Sequence, residues 1–219
     1  MPEAAAGSGS APAFDPACRR CERLAAYLDA SRRKFPEYHC APVAPFGAAA
    51  ARLLIVGLAP GLHGANASGR PFTGDFAGIL LYRTLFDFGF STQPESRHAR
   101  DGLELIDCRL TNAVKCVPPA NKPVGAEINN CNAYLRSELD AGGFRVAVAL
   151  GGIAHNAILK ALGHKQSAYR FGHNRLHELP GGPLLLDSYH CSRYNTQTNR
   201  LTEPMFRAVF ERARALLQT

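Results

Sequence analysis

The chain has 219 residues, 46% hydrophobic and 20% charged, the size and balance of one globular domain with a substantial core, not of a fibrous or disordered chain. It carries 25 Lys+Arg against 18 Asp+Glu, a formal net charge of +7, which favours polyanionic partners, nucleic acid foremost. No apolar run approaches the roughly 20 residues that span a bilayer, so no membrane partner is expected.

Residues 1–16 are rich in Ala, Gly, Ser and Pro. They lack the basic and apolar regions of a secretory signal and read as a disordered tail before a single domain at 17–219. A cytoplasmic location follows as an expectation. Residues 17–30 have helical spacing after a C-x2-C opening. Residues 52–57 form an apolar run ending in Gly57, a buried strand. A helix is predicted over 79–90, a short strand over 110–114, and a helix over 126–139 with Gly142-Gly143 after it. Residues 145–151 are a clear buried strand, followed by a helix over 153–162. A further strand at 183–187 runs into Ser188-Tyr189-His190, and a helix at 203–218 closes the chain. Strands buried on both faces and alternating with helices imply an α/β fold: a mainly parallel sheet between helical layers.

Seven cysteines stand at 18, 21, 40, 108, 116, 131 and 191. An odd number in a reducing compartment argues against a disulfide framework. Cys18 and Cys21 can point two thiolates at one centre, and Cys116 and Cys131, with fourteen residues between them, can complete a set of four. Such a set suits a zinc ion or an iron–sulfur cluster; the alternative is seven inert buried thiols.

Ligands of parallel α/β sheets bind at the carboxyl ends of the strands. Three such ends carry unusual polar residues: Gly57-Leu58-Ala59-Pro60-Gly61, Thr111-Asn112, and Tyr189-His190-Cys191-Ser192. Residues 57–78 hold six glycines, yet match neither G-x-G-x-x-G nor G-x4-G-K-[ST], so a nucleotide-cofactor reading fails. Taken singly, each candidate has a plain structural reading. On spacing, Asp75 reads as the N-cap of the next helix, Asn112 as a turn residue, His190 as a satisfied core histidine, and Phe72 as core.

Taken together, the segments resemble a known family. Gly57-Leu58-Ala59-Pro60-Gly61-Leu62-His63-Gly64-Ala65-Asn66 with Gly69-Arg70-Pro71-Phe72-Thr73-Gly74-Asp75 resembles the first motif of the uracil-DNA glycosylase superfamily, most closely its iron–sulfur family 5 (type B). The stretch from Thr111 through Asn121 to Pro123 resembles the family's central motif. His190-Cys191-Ser192-Arg193-Tyr194-Asn195-Thr196, with Arg200-Leu201-Thr202, resembles its C-terminal segment. The likeness covers roughly residues 17 to 210 and implies the family's three-layer αβα sandwich. It also implies a [4Fe–4S] cluster on Cys18, Cys21, Cys116 and Cys131, structural in role, with Cys40, Cys108 and Cys191 outside the pattern.

The implied activity is that of a monofunctional, monomeric glycosylase excising uracil, and other deaminated bases, from DNA in base excision repair. Uracil in a duplex must be flipped out to be reached. Phe72 would stack on it, Asn112 would read its edge with an amide donor and acceptor, and Gly57 and Leu58 would shape the pocket. His190 would hydrogen-bond the oxygen that gains charge, and Asp75 would stabilise the sugar cation or orient water. Asn121 is a second catalytic candidate, because Leu58-Ala59-Pro60-Gly61 offers no acid or amide. Ser192, Arg193 and Asn195 would meet the DNA. Two other readings are a catalytically silent DNA-binding scaffold and a zinc-stabilised nucleoside hydrolase.

Overall fold

The computed structural model describes residues 13–218. Of the expected tail, residues 1–12 lie outside the described residues. Residues 13–16 are described, and Phe14 meets Tyr134 edge-on with ring centroids 6.0 Å apart. The first helix, α1 (Glu22–Lys34), starts later than the spacing predicts, because Cys21 is extended and residues 18–21 follow a turn at Pro16-Ala17 without being helical. It ends at Phe35, which precedes Pro36 and so is steered out of helical geometry.

Four parallel strands follow in a βα rhythm: β1 (Leu53–Gly57), β2 (Cys108–Asn112), β3 (Val146–Leu150) and, after the two-residue β4 (Leu176–His177), β5 (Leu184–Ser188). The order across the sheet is β2-β1-β3-β5-β4, with β4 an antiparallel edge that the sequence did not signal. Between them run α2 (Ala65–Ser68), α3 (Phe76–Asp87), α4 (Gly125–Gly142) and α5 (Gly152–Ala161); α6 (Arg193–Gln197) and α7 (Glu203–Gln218) follow β5.

Every residue of β1 and β3 is buried, as central parallel strands covered on both faces require. Side chains alternate across the pleat. Leu53 and Ile55 join the core beneath α3 and α7, while Leu54 and Val56 join the core beneath α4 and α5. The result is the expected α/β sandwich of three layers. A third, smaller core holds Leu24 and Leu28 of α1 against Val114, Cys116, Val117 and Cys131.

Register places the chemistry. Gly57 pairs with Asn112 and Leu150 with Ser188, so the loops after four strands emerge side by side at one edge of the sheet.

Candidate active site

Gly57 ends β1 where nothing larger fits. A Cβ there would stand 2.4 Å from Cζ of Phe72 and 2.5 Å from Oδ1 of Asn112. The Phe72 ring and the Asn112 amide therefore close over the glycine backbone, and both are buried. Phe72 holds a left-handed φ of 57°, uncommon for a bulky residue and a mark of a constrained site.

The glycines of the same loop make room for Asp75. A Cβ on Gly64 would lie 2.7 Å from the carboxylate, and one on Gly61 would lie 3.6 Å from its Oδ2. Asp75 caps α3, accepting from the Gly78 N–H at 2.9 Å, which is why that helix begins three residues before the predicted 79. Burial raises the Asp75 pKa, against hydrogen bonds from the Gly78 and Ala77 backbone. The cap expected from spacing is real, and the same carboxylate also faces a cavity.

His190 follows β5 and packs beside Gly151, whose added Cβ would lie 3.6 Å from the His190 Cβ. Its Nδ1 is buried and has no hydrogen-bond partner among the described residues. Burial pushes its pKa down to about 4, so the ring is neutral at neutral pH. The expectation of a satisfied core histidine fails on that open nitrogen. Its carbonyl accepts from Asn195 Nδ2 at 2.8 Å, and Ser192 caps α6 by accepting from the Asn195 N–H. Arg193 reaches back over the Phe76 ring at 5.2 Å. Asn121 ends a single 3-10 turn in which Ala120 and Asn121 both have left-handed φ, 54° and 55°.

A cavity of about 430 Å³ joins these pieces; Leu58, Asp75, Asn121, His190, Ser192 and Arg193 all line it. Gly57 and Asn112 do not, standing in the wall behind it. Phe72 lines a neighbouring groove, with its ring centroid 6.4 Å from that of His190. Asn195 contributes through its tether to the His190 backbone. Sequence reading missed several members of the lining, among them Phe76, Gly151, Gly152 and Ile153. The Gly151-Gly152 pair directly after an apolar strand was the available signal.

Cys18, Cys21, Cys116 and Cys131 gather at one place. Cys116 has its pKa pushed up to about 12, by burial first and then by the proximity of Cys131, Cys18 and Cys21. Cys21 accepts from Asn130 Nδ2 at 3.4 Å, and Arg23 of α1 grips Glu127 of α4 at 2.7 Å. The helices bearing Cys21 and Cys131 are thus pinned together. Cys40, Cys108 and Cys191 are buried. Among the described residues, His155, His177 and Asp187 form a group whose ligand atoms all lie within 4.8 Å of one another. That trio satisfies itself. Asp187 bonds His155 Nδ1 at 2.7 Å and His177 Nε2 at 3.0 Å, and His155 Nε2 meets the Tyr169 carbonyl at 2.9 Å.

Comparison with known proteins agrees with this geometry. Residues 44–214 match the family model described as "Uracil DNA glycosylase superfamily". A type-5 uracil-DNA glycosylase of Thermus thermophilus is 47% identical over 206 residues, 91% of this chain and 94% of that protein. Type-5 enzymes of Pyrobaculum aerophilum and Mycobacterium leprae are 41% and 40% identical, over 90% and 96% of this chain and 88% and 97% of theirs. With the sequence matching over nearly its whole length, the chain belongs to the uracil DNA glycosylase superfamily, in its type-5 family.

Proposed function

We propose that this protein hydrolyses the N-glycosidic bond of uracil in DNA, in base excision repair, with Asp75 and His190 as the central pair. The observation that carries the reading is the unpartnered, buried Nδ1 of a neutral His190, in one cavity with the Asp75 carboxylate. A buried polar atom without a partner costs about 1–3 kcal/mol, and a ligand that pairs with the ring recovers that cost. The catalytically silent scaffold and the zinc-stabilised nucleoside hydrolase are not favoured, because relatives aligned over nearly the full chain are named type-5 uracil-DNA glycosylases.

The C1′–N1 bond breaks with its electron pair leaving on the base, and water adds to C1′. Positive charge builds on the sugar and negative charge on the uracil oxygens. A neutral imidazole still carries one N–H, which can donate to that oxygen, and its dry setting strengthens the bond. Asp75, made more basic by burial, stabilises the sugar cation and accepts a proton from the incoming water. Phe72 offers its face to the base and Asn112 its amide to the base edge, against the bare backbone of Gly57 and Leu58. Asn121, at the cavity mouth, is the second group able to orient water. Ser192, Arg193 and Asn195 meet the DNA. In this reading the protein acts as a monomer, and a reduced cytoplasmic setting suits its thiols. The scope over other deaminated bases extends from the same pocket, whose first loop offers no side-chain acid or amide between Leu58 and Gly61.

The four cysteines, brought close together before α1, in the central loop and on α4, suit a [4Fe–4S] cluster, for which four thiolates are the usual ligand set. When bound, the cluster would tie α1 to α4 and carry no electron in a hydrolysis. Cys18 and Cys21 would hold it from the stretch before α1, Cys116 from the central loop and Cys131 from α4.

The deciding experiment is excision from a uracil-containing oligonucleotide. The parent cleaves, and Asp75→Ala loses at least about 100-fold in turnover while still retarding DNA in a gel. Parent-like excision by Asp75→Ala would remove Asp75 from its role.

A further inference from the structure

Beside the uracil cavity runs a second groove of about 500 Å³, lined by Phe72, Asp75, Phe76, Ile79, Arg97 and Arg193, among others. It is continuous with the first cavity, because Asp75, Phe76 and Arg193 line both. Its outer wall is the 93–101 loop, which the first motif of the sequence does not include. That loop is built around a buried carboxylate. Asp101 accepts from the Arg97, His98 and Leu103 N–H groups at 2.8, 3.3 and 3.0 Å. It also pairs with Arg70 at 2.7 Å, both side chains being buried.

Arg70 additionally donates to Ser96 Oγ and the Ala99 carbonyl, and Thr73 Oγ1 meets Ser96 Oγ at 2.6 Å. The loop is therefore locked to the segment that carries Phe72 and Asp75. Of its two acids, Asp101 is consumed inside, while Glu95 is exposed and lines the groove. Its cations face out: Arg100 is exposed and has no ion pair among the described residues, and Arg97 has only the exposed Glu95, at 2.9 Å. An ion pair that exposed is worth little and can be displaced by a phosphate.

We propose that this groove seats backbone phosphates of the uracil-bearing strand next to the flipped nucleotide, with Arg97 as their cation and Arg193 also on its lining, and that Arg100, in the adjoining groove it shares with Arg97, takes the next phosphate along the strand. The assignment rests on the functional reading above, because it is the strand delivering uracil to the first cavity that must cross the second. A loop rigidly joined to Phe72 and Asp75 fixes the phosphates in register with the reacting sugar.

The test is the salt dependence of DNA binding by the full chain, on a uracil-containing duplex and on an undamaged one. Each phosphate contact contributes about 0.9 to the slope of log K against log salt. The Arg97→Ala/Arg100→Ala double variant is expected to be shallower by about 1.8, and a fall of about 0.9 or more supports the groove. Arg52→Ala, at the opposite end of β1, serves as the control and keeps the parent slope. A parent-like slope in the double variant on both duplexes overturns the proposal. A parent that leaves uracil in place overturns the functional reading instead, while the slope on undamaged DNA still decides whether the groove holds phosphates.

Discussion

Asp75 carries two duties that pull its charge in different directions. As the cap of α3 it accepts a backbone hydrogen bond, which favours the carboxylate, yet burial is the larger influence and raises its pKa. The acid limb of kcat/KM is therefore expected above the 3.8 of a free aspartate, because protonation there removes the group that meets the sugar cation. His190, pushed down to about 4, contributes no limb near 6.5. A pH–rate profile whose acid limb survives unchanged in His190→Ala but disappears in Asp75→Asn, both read on residual activity, checks this; a limb near 6.5 tied to His190 contradicts it.

Stability follows the same two groups in opposite senses. A raised Asp75 binds its proton more tightly folded than unfolded, so its contribution falls as pH rises through the folded pKa. A depressed His190 binds its proton less tightly folded, so its contribution falls as pH drops below 6.5 towards 4. Sequence spacing identified the Asp75 cap correctly but could not show that Gly61 and Gly64 clear space around the same carboxylate.

Among the elements, the strands were legible because runs such as 145–151 are apolar on both faces, and only central parallel strands need that. Helix ends were less so, since each is set by a local cap or a proline. β4, two residues long, leaves no periodic signal. The link from β2 to α4 holds a feature that composition hides. Lys115, between Asn112 and Cys116, is fully buried. Its Nζ donates to Thr111 Oγ1 and pairs with Glu138 Oε1 of α4 at 2.5 Å, with Arg109 at 3.6 Å from Glu138. Removing one partner of such a pair strands the other charge in the interior, at about 3–5 kcal/mol. Lys115→Met is expected near the lower end of that range, because Arg109 remains. Urea denaturation measures it, and a loss under about 1 kcal/mol would show that Glu138 is satisfied without the lysine.

Across the whole molecule, the cysteine site joins the first helix to the α/β body. Arg23–Glu127 and the small core of Leu24, Leu28, Val114 and Val117 support it. With a [4Fe–4S] cluster bound, the purified parent shows broad visible absorbance, which Cys116→Ser loses. Its melting temperature should fall by about 5 °C or more, since a protein of this size loses about 2–4 °C per kcal/mol. A colourless parent containing zinc would return the site to the single-ion alternative.

By itself the sequence determined the layered α/β class, because burial on both faces is written in the apolar runs. It also determined the family, because three ordered motifs and four cysteines stand at the right spacing. Tertiary structure alone decided what lies beside what. The Gly57–Asn112 register brings β1 and β2 to one edge, and burial settles the protonation of His190. Tertiary structure also locks the 93–101 loop to the segment carrying Phe72 and Asp75 through Arg70 and Asp101. Each depends on contacts between residues distant in the chain, and periodicity, which reports only a residue's nearest turns, carries no record of them.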